Sequence, residues 1–169
     1  MKTIVLLCGA DRSGKTKTLK RFFGVSGRLK RNQLLEKVLD GKKIYAVSLS
    51  APQELIKEFC DVDEVKARIE KKIQKCEEAS KGQDYILIIP FGIYARKGKA
   101  EINERCILEP IESLEARGFK VVPVYLRKEK TAYLELKDSL MNRITKYVIK
   151  SDKDYDRQAR ELETLIKNL

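Results

Sequence analysis

Gly9-Ala10-Asp11-Arg12-Ser13-Gly14-Lys15-Thr16 is the stretch on which the fold turns. It has the form G-x-x-x-x-G-K-[ST]. It stands between an apolar run, Thr3-Ile4-Val5-Leu6-Leu7-Cys8, and an amphipathic one that begins near Gly14. A strand that feeds a glycine-bracketed turn into the start of a helix is built to hold phosphate. Gly9 and Gly14 let the backbone wrap closely, so that successive N–H groups point inward. The helix that follows adds the positive end of its dipole. In such a turn the Lys15 ammonium bridges the terminal phosphates of a triphosphate, and the Thr16 hydroxyl coordinates Mg²⁺. The expected nucleotide contacts are Gly9, Ala10, Asp11, Arg12, Ser13, Gly14, Lys15, Thr16 and Lys17, with ATP and Mg²⁺ as the implied ligands. A tight turn without a ligand would not need Gly, Lys and Thr at these offsets.

Outward from this turn, short apolar runs alternate with helical patterns. Runs at 3–8, 43–49, 85–89, 120–126 and, more weakly, 147–149 read as strands. The first and third are almost continuously apolar, as strands covered on both faces of a parallel sheet are. Helices are expected over 14–23, 28–39, 52–59, 62–80, 100–117, 129–144 and 153–168, with Pro110 marking a start or kink. The clearest is 62–80, where Val62, Val65, Ile69, Ile73 and Cys76 recur every three or four positions. Strand–helix alternation of this kind implies right-handed crossovers and an α/β fold, a doubly wound, mostly parallel sheet of about five strands flanked by helices. No repeat or linker interrupts it, so residues 1–169 are expected to form a single domain.

Composition narrows the chemistry. The chain carries 36 Lys and Arg against 25 Asp and Glu, a net charge of +11. Residues 1–43 hold 12 of those cations against Asp11, Glu36 and Asp40, so +9 lies beside the phosphate turn. That field favours an anionic ligand. There is no His, which removes Ser-His and Cys-His catalysis. Cys8, Cys60, Cys76 and Cys106 form no C-x-x-C pair, so a zinc site is not expected, and Cys8 and Cys76 read as buried thiols. No apolar run approaches the roughly 18 residues of a membrane span, and no signal-peptide pattern is present. The reading is a cytoplasmic chain with no membrane partner.

The turn G-A-D-R-S-G-K-T resembles the phosphate loop of thymidylate kinases, which in one subclass reads G-x-D-R-x-G-K-[ST]. In that family the loop Arg stabilises the transferring phosphoryl group and the loop acid contacts the acceptor's sugar. The resemblance therefore implies a catalytic role for Arg12, beside Lys15, and an acceptor contact for Asp11. It covers about the first 23 residues. The Asp-Arg-Tyr/His stretch that thymidylate kinases carry after the third strand is absent, so the kinship is with P-loop nucleotide kinases as a class. Such kinases commonly have a basic lid after the fourth strand. Here that implies a short lid over 127–144, with Arg127 and Arg143 as catalytic candidates. A guanidinium suits the task because it grips phosphate in a bidentate fork and keeps its charge.

Two other segments bear on function. P-loop proteins usually place an acid at the end of a second buried strand. The run Tyr85-Ile86-Leu87-Ile88-Ile89-Pro90-Phe91-Gly92 has none, Asp84 stands at its other end, and Ser48 or Ser50 are the substitutes at hand. After Gly92, the stretch Ile93-Tyr94-Ala95-Arg96-Lys97-Gly98-Lys99 falls at the same sheet edge as the phosphate turn. Tyr94, Arg96 and Lys97, with Asp11, are the candidate acceptor contacts, and 24–42 and 50–62 are further acceptor segments. The leading expectation is γ-phosphoryl transfer from ATP to a nucleotide or nucleoside-like anionic acceptor. One alternative is a nucleotide-dependent switch or binding module with little or no catalysis. Another is a nucleic-acid-directed protein such as a polynucleotide end kinase, motivated by the basic first quarter but without the basic stripe and stacking aromatics such proteins use.

Overall fold

The structure, a computed structural model, describes residues 1–9, 13–30, 32–47, 61–93, 100–128 and 138–169. In chain order the elements are β1 (Thr3–Gly9), α1 (Lys15–Phe22), β2 (Leu34–Leu39), β3 (Lys42–Val47), α2 (Val62–Ser80), β4 (Tyr85–Gly92), α3 (Ala100–Ala116), β5 (Lys120–Lys128), α4 (Asp138–Ile144), β6 (Val148–Ser151) and α5 (Tyr155–Lys167). The strands form one six-stranded sheet in the order β2-β3-β4-β1-β5-β6. All neighbours pair in parallel except β2 and β3. The architecture is α/β, a mostly parallel sheet flanked by helices, and it is compatible with a doubly wound fold.

The central strands are apolar along their length because both faces are covered. β1 and β4 are buried at every position. Alternate side chains enter two separate cores. Ile4, Leu6, Leu87 and Ile89 meet Val65, Ile69 and Ile73 of α2, Ile107 and Ile111 of α3, and Leu140 of α4. Val5, Leu7, Ile88 and Val124 meet Leu19 and Phe22 of α1 and Leu162 and Ile166 of α5 on the other face. Pro90 and Pro123 lie inside β4 and β5, where a missing N–H would ordinarily break a ladder. Each sits where only one flank is paired, since the β3 ladder stops at Ile88 and the β6 ladder begins at Tyr125.

The helix expected over 28–39 is corrected: Leu34–Leu39 is a strand, which raises the count from about five to six. Leu34, Leu35, Val38 and Leu39 are compatible with a helical stripe, but the following Asp40-Gly41 decides otherwise. Both residues have positive φ, 49° and 76°, as a two-residue hairpin turn of type I′ requires. That turn aligns Leu39 with Lys42 and pairs β2 antiparallel to β3. Lys37 ties the edge strand down, donating to the Phe22 carbonyl at 3.1 Å and to Glu163 at 2.8 Å.

The other expected helices among the described residues are present. α2 starts where Asp61 accepts from the N–H groups of Asp63 and Glu64, which also place acids in the positive first turn. Pro110 lies within α3, which runs on through it. The expected helix over 52–59, the part of 129–144 before Asp138, and Ser48 and Ser50 lie outside the described residues.

Candidate functional site

The site is the crossover from β1 to α1. Gly9 closes β1 in register with Gly92 of β4, and Tyr125 of β5 pairs with Cys8 on the other flank. The turn therefore leaves the sheet at the C-terminal edge, between two parallel neighbours. Close packing explains its glycines. A Cβ on Gly9 would stand 2.4 Å from Ser13 Oγ. Gly14 has φ +83°, a conformation that costs an L-residue about 1–2 kcal/mol, and a Cβ there would stand 2.6 Å from the Tyr155 ring.

Lys15 is 3% exposed. Its ammonium donates to the Gly9 carbonyl at 2.8 Å and to Ser13 Oγ at 3.1 Å. The side chain thus folds back towards Gly9 and Ser13 rather than into solvent. α1 begins at Lys15 with no side chain capping its N-terminus and no acid in its first turn. Its leading N–H groups and dipole are therefore directed at the same space. Thr16 and Lys17 are exposed at this helix start. Beneath the turn, burial pushes the Cys8 thiol up to about 12, so it stays a neutral packing group.

The far end of the chain props the turn. Ser151 Oγ, at the end of β6, donates to the Ser13 carbonyl at 2.6 Å. Tyr155 opens α5 with its ring against Gly14, and Lys17 Nζ lies 5.1 Å from the centre of that ring. Thr18 on α1 donates to Gln158 of α5 at 2.7 Å, with both side chains buried. The N–H of Ile93, just after β4, donates to the Gly9 carbonyl at 3.1 Å. Ser151, Tyr155 and Gln158 carry no sequence signal for this role. They stand more than 130 positions from their partners, and only the topology brings them there.

Of the expected nucleotide contacts, Gly9, Ser13, Gly14, Lys15, Thr16 and Lys17 come together here. Ala10, Asp11 and Arg12 lie outside the described residues, as do Tyr94, Arg96 and Lys97. Arg127 is exposed on β5, two positions beyond the partner of Cys8, and so at the edge where the turn sits. Arg143 is placed differently. It pairs with Glu115 and, at 3.9 Å, with Glu112 near the C-terminal end of α3. That end leads into the start of β5, at the edge opposite the turn. The end of β4 is Pro90-Phe91-Gly92 and carries no acid, while Asp84 stands at the opposite edge and pairs with the Met1 amino group. Among the described residues no cluster of three or more acidic, Cys or His side chains could hold a metal ion.

Cys8 and Cys76 are free, buried thiols, Cys106 is disulfide-bonded, and Cys60 lies outside the described residues. No described helix is long and apolar enough to cross a membrane. No family model matches the chain, and no curated protein matches it either.

Proposed function

We propose that the chain is a P-loop protein that binds ATP with Mg²⁺ at Gly9–Lys17 and transfers the γ-phosphoryl group to a nucleotide or nucleoside-like acceptor. One observation carries the binding half of this reading. A buried ammonium, Lys15, is held at 2.8 Å from the Gly9 carbonyl, next to a Gly14 whose left-handed backbone lies against the Tyr155 ring, at the uncapped start of a helix. This cradle fits a triphosphate. A turn of this sequence pattern offers its N–H groups to phosphate oxygens, and Lys15 would exchange Gly9 and Ser13 for the β and γ phosphates. Thr16, exposed at the helix start, would offer its hydroxyl to the ion, and Mg²⁺ there would draw charge from the bridged phosphates.

The kinase half rests on the resemblance of Asp11 and Arg12 to the thymidylate kinase loop. Arg12 then steadies the transferring group, Arg127 adds charge from the β5 edge, and Asp11, Tyr94, Arg96 and Lys97 meet the acceptor. Arg143 is not carried into this scheme, because two carboxylates already engage it. The absence of an acid at the end of β4 favours a second reading, a nucleotide-dependent switch with little turnover.

The test is ATP binding and ADP release across a panel of nucleosides and nucleotides. The kinase reading expects acceptor-stimulated ADP release that Lys15→Ala abolishes. Tight ATP binding with no stimulation by any acceptor supports the switch. No ATP binding by the folded protein removes both.

A further inference from the structure

A second lysine is buried, far along the chain, and among the described residues no carboxylate pairs with it. Lys72, on α2, is 5% exposed. Its one hydrogen bond among the described residues is long, 3.5 Å, to the Val47 carbonyl at the end of β3. A charged ammonium held this way is poorly compensated. Burial first, and then the nearby charges of Lys75 and Arg68, pull its pKa from 10.5 down to about 8, against an opposing contribution from Cys76.

The side chain borders a cavity of about 510 Å³ that Asn32, Val47, Arg68, Lys71 and Lys75 also line. Arg68, Lys71, Lys72 and Lys75 follow the i, i+3, i+4, i+7 spacing of one helix face. Like charges concentrated on one face, one of them buried, oppose folding unless something negative occupies the space between them. Glu64 and Glu78 also line the cavity, one helical turn or so beyond either end of the basic run. Glu64 is taken up by Arg68 at 2.8 Å, and Glu78 accepts from Gln74 at 3.2 Å. Lys75 donates to the Asn32 carbonyl at 2.8 Å, which fixes the far wall.

We propose that this groove is a second anion site, for a small phosphorylated molecule whose phosphoryl group seats on Lys72 between Arg68 and Lys75. A compact dianion matches the buried ammonium at the floor and the two flanking cations. A longer nucleic-acid strand laid along the helix fits less well, because the basic run ends in a carboxylate on either side, Glu64 before Arg68 and Glu78 after Lys75. The site is separate from the phosphate turn. The sheet order puts β4 between β3 and β1, which sets Val47 and Gly9 two strands, about 10 Å, apart. The groove lies on the flank of α2 that faces Asn32 and the end of β3, and Lys15 is not among its lining residues.

The experiment reads Lys72 itself, by NMR of the ¹³Cε resonance in the full chain with labelled lysine, assigned by its loss in Lys72→Met. Inorganic phosphate is titrated in, against sodium chloride at matched ionic strength. The site expects phosphate to raise the Lys72 titration midpoint by about one unit, a roughly tenfold preference for the charged form. Arg68→Gln and Lys75→Gln should each weaken that response severalfold. A midpoint that phosphate leaves in place, or that chloride moves equally, overturns the proposal. So does a response to a single-stranded oligonucleotide without one to phosphate. None of these outcomes bears on nucleotide binding at Lys15, which is read separately.

Discussion

Gly14 and Gly41 both have left-handed backbone, but they differ in what surrounds them. At Gly41, φ 76°, nothing lies within 4 Å of an added Cβ, so only the backbone resists substitution. Gly41→Ala is expected to cost about 1–2 kcal/mol. At Gly14 the same backbone cost is joined by the Tyr155 ring, so Gly14→Ala should cost more, and Tyr155→Ala should recover the difference between them. Chemical denaturation of the two single variants and the Gly14/Tyr155 pair measures this. Lys72 supplies a pH-dependent counterpart. Its folded pKa, about 8, lies below the unfolded 10.5. The unfolded chain therefore binds more protons between those values, and the penalty for the buried charge is full below about 8 and gone above 10.5. Lys72→Met should thus stabilise the protein at neutral pH by about 1–3 kcal/mol, and its advantage over the wild type should shrink as pH rises from 8 towards 10.5. An advantage that stays constant across that range would mean that Lys72 does not titrate as described.

At the scale of elements, legibility followed the strength of the local signal. The crossover from β1 to α1 is legible because an apolar run leads directly through a glycine-bracketed stretch into an amphipathic one. The extent of α2, Val62–Ser80, was readable from its apolar period. β2 was not, because Leu34, Leu35, Val38 and Leu39 suit either period. The deciding information was the Asp40-Gly41 dipeptide, a hairpin signal that outweighs a weak helical stripe. Arg143 is a lid candidate by its position along the chain. Its carboxylate partners, Glu112 and Glu115, lie on a different helix, and no local pattern announces that pairing. Lys72 reads as one more solvated helix lysine until its burial is seen. Asp61 gives an element-scale check: Asp61→Ala removes the cap from two N–H groups and should cost about 1 kcal/mol in thermal or chemical denaturation.

Across the whole molecule, Gly9, Ser13 and Gly14 are met from three directions, by Ile93 after β4, by Ser151 of β6 and by Tyr155 of α5. Ser151→Ala and Tyr155→Ala are therefore expected to weaken ATP binding about fivefold, the equivalent of one ordinary hydrogen bond, while Val148→Thr on the exposed edge of β6 leaves it unchanged. Calorimetric titration with ATP separates the two groups. An equal effect from all three would mean that α5 supports the sheet generally and not the turn. The arrangement also orders events during synthesis. The residues that would grip the phosphates leave the ribosome well before their support, since the hydroxyl that braces Ser13 arrives 138 residues later. A nascent chain halted before Ser151 carries the complete turn sequence and lacks its brace. It should capture ATP poorly, and competence should appear only as β6 and α5 emerge.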